Sequence, residues 1–180
     1  MDAALKIAPE SQTRTVRLSP MISDALPLII SWAEKPENAE FFRRFPPRCA
    51  WLNVEIAMTL FKDLWLVYED SNCVGITGLY AFDHSGNSAE VCLLIDSEAS
   101  AQRALTARLA GQEACEYGFG YLRLNKISSR ILEHRSALGR RLEDNGFRLE
   151  GTLREAIEFQ GQYITELLYG CLKHEYRRAD

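Results

Sequence analysis

The sequence predicts an α/β (α+β) fold, in which helices flank a mixed, mostly antiparallel, twisted sheet of about seven strands. Two observations support this prediction. Alternating or β-branched segments of strand length recur between amphipathic segments of helical length. The last third of the chain, residues 124–176, has the order strand, helix, Gly-Phe, strand, turn and strand. The full predicted order is a strand, two helices, three antiparallel strands, a helix, a strand, a helix and two strands.

The first predicted elements are a strand and an amphipathic helix. Residues 13–18 alternate in polarity, which is typical of a half-buried strand. Ser23 and Asp24 offer an N-cap for a helix at 25–34, and Pro36 would end it. The residues predicted to share the inward face of this helix are Leu28, Ile29 and Trp32.

Helical patterns at 38–45 and 51–62 precede a predicted β-hairpin. Residues 64–69 are rich in β-branched and aromatic side chains, and the polar cluster 70–72 is typical of a turn. Residues 73–82 form the predicted partner strand.

The next predicted strand covers 88–96, and its apolar end, 91–95, is expected to be covered on both faces. A long helix is predicted at 99–117, ended by Gly118 and Gly120. The residues predicted to lie on its inward face are Ala101, Leu105 and Leu109. A strand at 127–132, a charged helix ending at Asn145-Gly146, and two strands joined at Gln160-Gly161 complete the order.

The composition is that of an ordinary globular protein. The chain has 180 residues, of which 47% are apolar and 26% are charged, and this length suits one core. Residues 1–12 are expected to form a flexible tail and residues 13–180 a single domain, since no linker or repeat divides them. The net charge of -4 argues against nucleic acid as a partner.

Cysteine usage points to a reducing compartment. The count is odd and no pair has CxxC spacing, so we expect neither a disulfide framework nor a metal site, and a cytoplasmic location follows. The five cysteines are Cys49, Cys73, Cys92, Cys115 and Cys171. The first residues lack the features of a signal peptide, and the apolar run at 26–32 is too short to span a bilayer, so no membrane partner is expected.

Five short segments near the C-terminal end form a recognisable pattern: Leu124-Asn125-Lys126, Asn145-Gly146-Phe147, Glu150-Gly151-Thr152-Leu153-Arg154, Gly161-Gln162-Tyr163-Ile164 and Glu175-Tyr176. Through these residues the chain resembles the GNAT superfamily of N-acetyltransferases, and most closely its Rim-type branch, which includes the ribosomal-protein N-acetyltransferases. The resemblance covers residues 13–176 and is specific after Leu124. It implies a GNAT fold with a splay between the fourth and fifth strands, and acetyl-CoA or another acyl-CoA as the cofactor.

In the family resembled here, main-chain groups of the fourth strand pair with the pantetheine arm of the cofactor. Its pyrophosphate lies on the N-terminus of the following helix, where free N–H groups and the helix dipole attract anions. The positions that match are Cys92, Leu93, Leu94 and Ile95 on the strand, Gln102, Arg103, Ala104, Leu105, Thr106 and Ala107 at the helix start, and Arg135 before the last helix.

Three positions of the chain depart from the family pattern. The first glycine of the pyrophosphate motif is Leu105, whose side chain could crowd the phosphates or point into the core. Arg103 could compensate by charge or be a solvated helix residue. Arg135 stands where many members carry a pantetheine-binding asparagine, and Leu142 replaces the usual tyrosine acid, which Rim-type members often lack.

The candidate catalytic residues are Glu90, His134 and Ser136. Glu90 precedes the apolar end of the fourth strand and could take a proton from the attacking amine, or it could be a surface carboxylate. His134 could relay a proton or bind a phosphate of the cofactor. Ser136 could hydrogen-bond the leaving sulfur or serve as an N-cap.

The acceptor pocket implied by the family lies between the first helices and the final hairpin. Its candidate residues are Phe42, Arg44, Phe45 and Tyr163. Aromatic side chains beside arginines could frame a polar acceptor, although ordinary packing would also explain the phenylalanines.

These residues predict an N-acetyltransferase that acts on a primary amine of a small molecule, an amino sugar or a protein N-terminus, as a monomer or homodimer. Leu105 and Leu142 leave two alternatives open. One is a catalytically degenerate GNAT-like binding or assembly module. The other is an acyltransferase whose donor is an acyl carrier protein.

Overall fold

A computed structural model describes residues 15–38, 41–42, 63–159 and 161–179 and contains a seven-stranded sheet. The strands are β1 (Val16–Pro20), β2 (Leu64–Glu69), β3 (Asn72–Asp83), β4 (Ser88–Ile95), β5 (Lys126–Leu132), β6 (Arg148–Phe159) and β7 (Gln162–Leu172). The α-helices of this part of the chain are α1 (Leu26–Ala33), α2 (Arg103–Glu116) and α3 (Ala137–Asp144). The helices predicted at 38–45 and 51–62 lie almost wholly outside the described residues.

The strand order is β1-β2-β3-β4-β5-β7-β6. Every neighbouring pair is antiparallel except β4 and β5, which run parallel because α2 connects them. The predicted fold class, a mixed and mostly antiparallel sheet flanked by helices, is therefore confirmed.

Helix α1 packs on one face of the sheet through Ile29 and Trp32, which are almost fully buried against β2, β3 and β4. Leu28, predicted on the same face, is 37% exposed instead, because the helix buries positions 26, 29 and 32. The Ser23–Asp24 N-cap is also wrong, since Ser23 begins a 3-10 turn without a side-chain capping bond.

Helix α2 covers the opposite face and differs from its prediction in length and orientation. It begins at Arg103 rather than at 99, because residues 97–102 form turns. Its buried face carries Thr106, Ala110 and Ala114, while Leu105 and Leu109 are only half-buried. Small side chains let the helix lie close to the sheet, so the leucines are displaced from the interface.

Gly118 does not end helix α2 as predicted, but lies in a π-helical turn that follows it, Tyr117–Tyr121. A Cβ atom at Gly118 would lie 2.7 Å from Ile127 Cδ1 and 2.9 Å from Leu79 Cδ1. The glycine thus allows the turn to pack directly on β3 and β5.

The Asn-Gly-Phe motif closes α3 and joins it to the C-terminus. Gly146 has φ +92°, and a Cβ atom there would lie 2.2 Å from the Glu175 carbonyl oxygen. A left-handed glycine after a helix is a common stop signal. Phe147, only 3% exposed, then enters the core that β5 and β7 form with α2.

The described residues include no helix long and apolar enough to cross a bilayer. Within the same ranges, no group of three or more His, Cys, Asp or Glu side chains could hold a metal ion. Cys92, Cys115 and Cys171 are buried and Cys73 is partly buried, as expected for small core residues.

Candidate functional site

The site begins where β4 and β5 separate. β4 pairs with β3 from Ser88 to Ile95, but its pairing with β5 in the described chain consists of three positions and ends at Glu90↔Ser128. Beyond that point β5 continues to pair only with β7. The β5-facing edge of residues 91–95 is therefore open, which confirms the predicted splay.

Glu90 lies at the apex of this splay, on the face that α1 covers, since it alternates in step with Cys92. Arg130 Nη2 and Nε donate to Glu90 Oε1 at 3.0 and 3.2 Å, and the Tyr80 hydroxyl donates to Glu90 Oε2 at 2.8 Å. Both carboxylate oxygens thus have hydrogen-bond partners.

Arg130 also lies 3.9 Å from Glu166 on β7, whose side chain is 6% exposed. Sequence reasoning missed Arg130, Glu166 and Tyr80 as neighbours of Glu90. The sequence did carry one indication: Arg130 and Glu166 are charged residues within apolar strands. Charged residues are rarely buried in such strands unless they are paired. Strand register, which a single sequence does not reveal, brings them together.

The candidate cofactor residues of β4 alternate between the two faces. Cys92, Leu94 and Ile95 are buried, whereas Leu93 is 36% exposed. Leu93 faces α2, since a Cβ atom on Gly111 would lie 3.8 Å from its Cδ2. The prediction that both faces of 91–95 are covered is therefore wrong at Leu93, because the splay leaves this side chain partly open.

The segment predicted to bind pyrophosphate forms the start of α2. Gln102 is the N-cap residue and makes no side-chain capping bond. Arg103 and Ala104 are exposed, Leu105 and Ala107 are half-buried, and Thr106 is 1% exposed. The first N–H groups of an α-helix lack intrahelical partners, so this helix start can accept an anion.

A buried carboxylate, missed by sequence reasoning, lies beneath this helix start. Glu69, at the end of β2, accepts hydrogen bonds from Ser100 Oγ and Thr106 Oγ1, and from the Ala101 amide at 3.3 Å. Burial would raise the pKa of Glu69, but these hydrogen bonds and one from the Gln102 amide lower it below its usual value. A glutamate before the polar turn at 70–72 resembles a surface residue, so the sequence carried no signal for this role.

A second anchor holds the turn between β4 and α2. Lys35 Nζ donates to Asp96 Oδ1 at 2.9 Å and to Glu98 Oε2 at 2.5 Å. Asp96, which is 2% exposed, also accepts a hydrogen bond from the Ala99 amide at 3.2 Å. The segment that enters α2 is thus tied to both faces of the sheet.

The remaining candidates for catalysis and cofactor binding follow the open end of β5. His134 and Arg135 lie in the 3-10 turn Glu133–Arg135, and Ser136 occupies the N-cap position of α3 without a capping bond. His134 and Ser136 are exposed, while Arg135 Nη2 lies 3.5 Å from the Glu37 carbonyl oxygen on the α1 side. The exposed Ser136 hydroxyl is therefore not used as a cap.

The acceptor candidates are described only in part. Phe42 is half-buried and packs edge-on against Phe41, with centroids 5.1 Å apart, beside the α1 core. This contact agrees with the packing interpretation. Arg44 and Phe45 lie outside the described residues, and Tyr163 is 68% exposed near the turn of the β6–β7 hairpin.

The chain belongs to the GNAT acetyltransferases: the sequence model of the acetyltransferase (GNAT) domain matches residues 15–148. It is accordingly an acyl-CoA-dependent N-acetyltransferase that uses acetyl-CoA. No curated protein matches the chain at a significant level.

Solved structures of a spermidine N-acetyltransferase from Vibrio cholerae share this fold. The complex with CoA and spermine is 20% identical, with a TM-score of 0.77 over 89% of this chain and 97% of that chain. A dodecameric form in an intermediate state is 21% identical, with a TM-score of 0.72 over 88% of this chain and 94% of that chain.

The residues present fit acetyl-CoA. The open edge of β4 offers main-chain donors and acceptors to an extended chain, and the start of α2 offers amides to an anion. When bound, the cofactor supplies an activated thioester acyl group. The chain itself must orient the amine, remove its proton and stabilise the departing thiolate.

Proposed function

We propose that the protein acetylates a primary amine of a small molecule, and that transfer takes place at the apex of the splay. The observation that carries this proposal is the end of β4–β5 pairing at Glu90↔Ser128. It leaves an open strand edge directly beside a carboxylate. The structural neighbours, spermidine N-acetyltransferases, support a small amine as the acceptor.

The proposed cofactor contacts follow the two open features of the site. The β5-facing edge of residues 92–95 would hold the pantetheine arm. The N-terminal segment 102–107 would hold the pyrophosphate, and exposed Arg103 would add charge there. Arg135, beside the open end of β5, is the third proposed contact.

Glu90 is the proposed proton acceptor. A neutral amine attacks a thioester carbonyl, and the resulting ammonium group must lose a proton. The Tyr80 hydroxyl on Oε2 can rotate away, whereas Arg130 holds Oε1 through two nitrogens, so Oε2 is the oxygen more easily freed. Exposed His134 and Ser136 are the proposed groups for proton relay and thiolate stabilisation.

Among the described residues, two carboxylates lie near the apex, Glu90 and Glu166, each beside Arg130. An amine arrives protonated at neutral pH and is attracted to such a site before it loses its proton. Phe42, Arg44, Phe45 and Tyr163 remain the predicted acceptor residues.

Several finer assignments remain predictions. They are the Rim-type branch, a protein N-terminus as acceptor, the flexible tail at 1–12 with one domain at 13–180, a cytoplasmic location and a monomeric or dimeric state.

The test is amine-dependent thiol release from acetyl-CoA, followed with spermidine, glucosamine and a peptide with a free N-terminus. We expect release with at least one small amine, and release with the peptide as well would extend the acceptors to a protein N-terminus. Release with the peptide alone would reverse the acceptor assignment. No release with any amine, and no rise in melting temperature with CoA, would overturn the proposal.

Leu105 is the reason to test an acyl carrier protein as a second donor in the same assay, because such a donor would not need a pyrophosphate site. Leu105 occupies the third position of α2, where the family pattern has glycine. Release from an acetylated acyl carrier protein, without release from acetyl-CoA, would favour that donor.

A further inference from the structure

The carboxylate of Glu69 connects three segments that are distant in sequence. It ends β2, it accepts hydrogen bonds from Ser100 and Ala101 in the turn after β4, and it accepts one from Thr106 in the first turn of α2. Glu69 is 2% exposed and Thr106 is 1% exposed. Such a buried carboxylate is costly unless several donors satisfy it, as they do here.

The donors lie on both sides of the helix start. Ala101 precedes the N-cap residue Gln102, and Thr106 is the fourth residue of α2. A group that binds both ends of this short segment fixes the direction in which the intervening N–H groups point. The amides of residues 103–105 are those that a helix leaves without intrahelical partners.

We propose that Glu69 is a positioning residue for donor binding, which orients the first-turn amides of α2 toward the pyrophosphate of the cofactor. This inference rests on the proposed function. Glu69 itself does not touch the donor, since its oxygens bind the turn and the helix from the sheet side.

The unusual residue at position 105 explains why such a brace matters here. Glycine at this position lets the main chain adapt its approach to phosphate, whereas leucine restricts it. Leu105 is half-buried in the first turn of α2. If the main chain at the start of α2 cannot adapt, its N–H groups must already point toward the phosphates. The hydrogen bond between Glu69 and Thr106 holds them in that direction.

A second donor that lacks the pyrophosphate tests this role. S-acetylpantetheine carries the same thioester and arm as acetyl-CoA, but nothing that α2 would bind. The measurement is kcat/KM for each donor, taken from initial slopes at low donor concentration with spermidine as the amine, or with the small amine that gives the fastest thiol release. The variants are Glu69→Gln and Thr106→Val, with Thr106→Ser as the matched control that keeps the hydroxyl.

We expect Glu69→Gln and Thr106→Val to lower kcat/KM for acetyl-CoA by about tenfold and to leave that for S-acetylpantetheine within about twofold, because only the first donor needs the oriented amides. Thr106→Ser should resemble the wild type. Equal losses on both donors would show a general structural effect and overturn the inference, as would no loss on either.

A milder variant tests for a general structural effect, and the activity of the wild type tests the proposed function. Ser100→Ala removes one hydrogen bond to Glu69 from the turn that precedes α2, and should give a smaller loss of the same donor-selective kind. A donor-independent loss in this milder variant would again contradict the inference. Wild-type protein that releases thiol from neither donor would instead overturn the proposed function and, with it, the inference.

Discussion

The two edges of β4 are paired very differently. On one edge, β3 pairs with β4 from Ser88 to Ile95, with one register shift between Tyr80 and Asp83. On the other, β5 pairs as far as Glu90 and then diverges. The same residues therefore build a closed ladder on one side and an open binding edge on the other.

This difference shows that the open edge is set by the segments into which the two strands lead. After β4 the chain turns toward Glu69 and Lys35, and after β5 it turns through Glu133–Arg135 into α3. The separation of β4 and β5 is thus held at the ends of the strands, while the apolar residues of β4 serve the core.

The largest expected effect comes from adding one methyl group to the closed edge. In Gly75→Ala, the new Cβ would lie 2.2 Å from the Leu94 carbonyl oxygen and 2.7 Å from Ile95 Cδ1. We expect the free energy of unfolding to fall by about 3 kcal/mol, because main-chain atoms must shift. Urea unfolding measures this loss.

Gly111→Ala is the matched change above the open edge. Its Cβ would meet only Leu93 Cδ2, at 3.8 Å. We expect a gain of up to about 1 kcal/mol from the better helix propensity of alanine. Equal losses in the two variants would show that the close main-chain contact at Gly75 is not the cause of its loss.

The apex of the splay is tested by Glu90→Gln. The variant keeps the size of the side chain and removes the base, so we expect kcat to fall by about a hundredfold while the KM for acetyl-CoA changes little. Asp144→Asn, an exposed carboxylate at the end of α3, is the control. An unchanged kcat in Glu90→Gln would assign proton removal to another group.

The acid end of the stability profile should report on Glu69. Hydrogen bonds hold its pKa below the usual value in the folded protein, so its stabilising contribution is complete above the unfolded pKa of about 4.3 and is lost as the pH falls through the folded pKa. Urea unfolding at pH values below about 5 measures this loss. Glu69→Gln should flatten the profile there, whereas Glu158→Gln, at an exposed position on β6, should not.

The smallest expected effect concerns the helix start. Leu105→Gly should tighten CoA binding by about threefold, since the main chain can approach phosphate more closely, at a cost of about 1 kcal/mol in stability. Leu105→Ala keeps helix propensity and separates the two effects. Calorimetry with CoA measures the affinity, and weaker binding in both variants would show that Leu105 itself contacts the cofactor.

Much of the fold was predictable because its signals are local. The bounds of β2 were predicted at 64–69 and are observed there, since alternation and the turn at 70–72 are properties of adjacent residues. The motif at Asn145–Phe147 likewise predicted the end of α3, because a left-handed glycine has a local cause. The site was predictable only through the family resemblance.

Local sequence patterns gave wrong or no predictions where contacts with distant residues determine which side chains are buried. The buried face of α2 consists of small and partly polar side chains, so the prediction that its leucines face the sheet was wrong. Arg130 approaches Glu90 through strand register, and Glu69 reaches Thr106 across 37 positions of the chain. Periodicity and turn residues act over a few positions, so the sequence by itself determines where strands and helices lie and where helices end. The environment of a buried charge depends on hydrogen-bond donors from distant parts of the chain, which only the tertiary structure brings close.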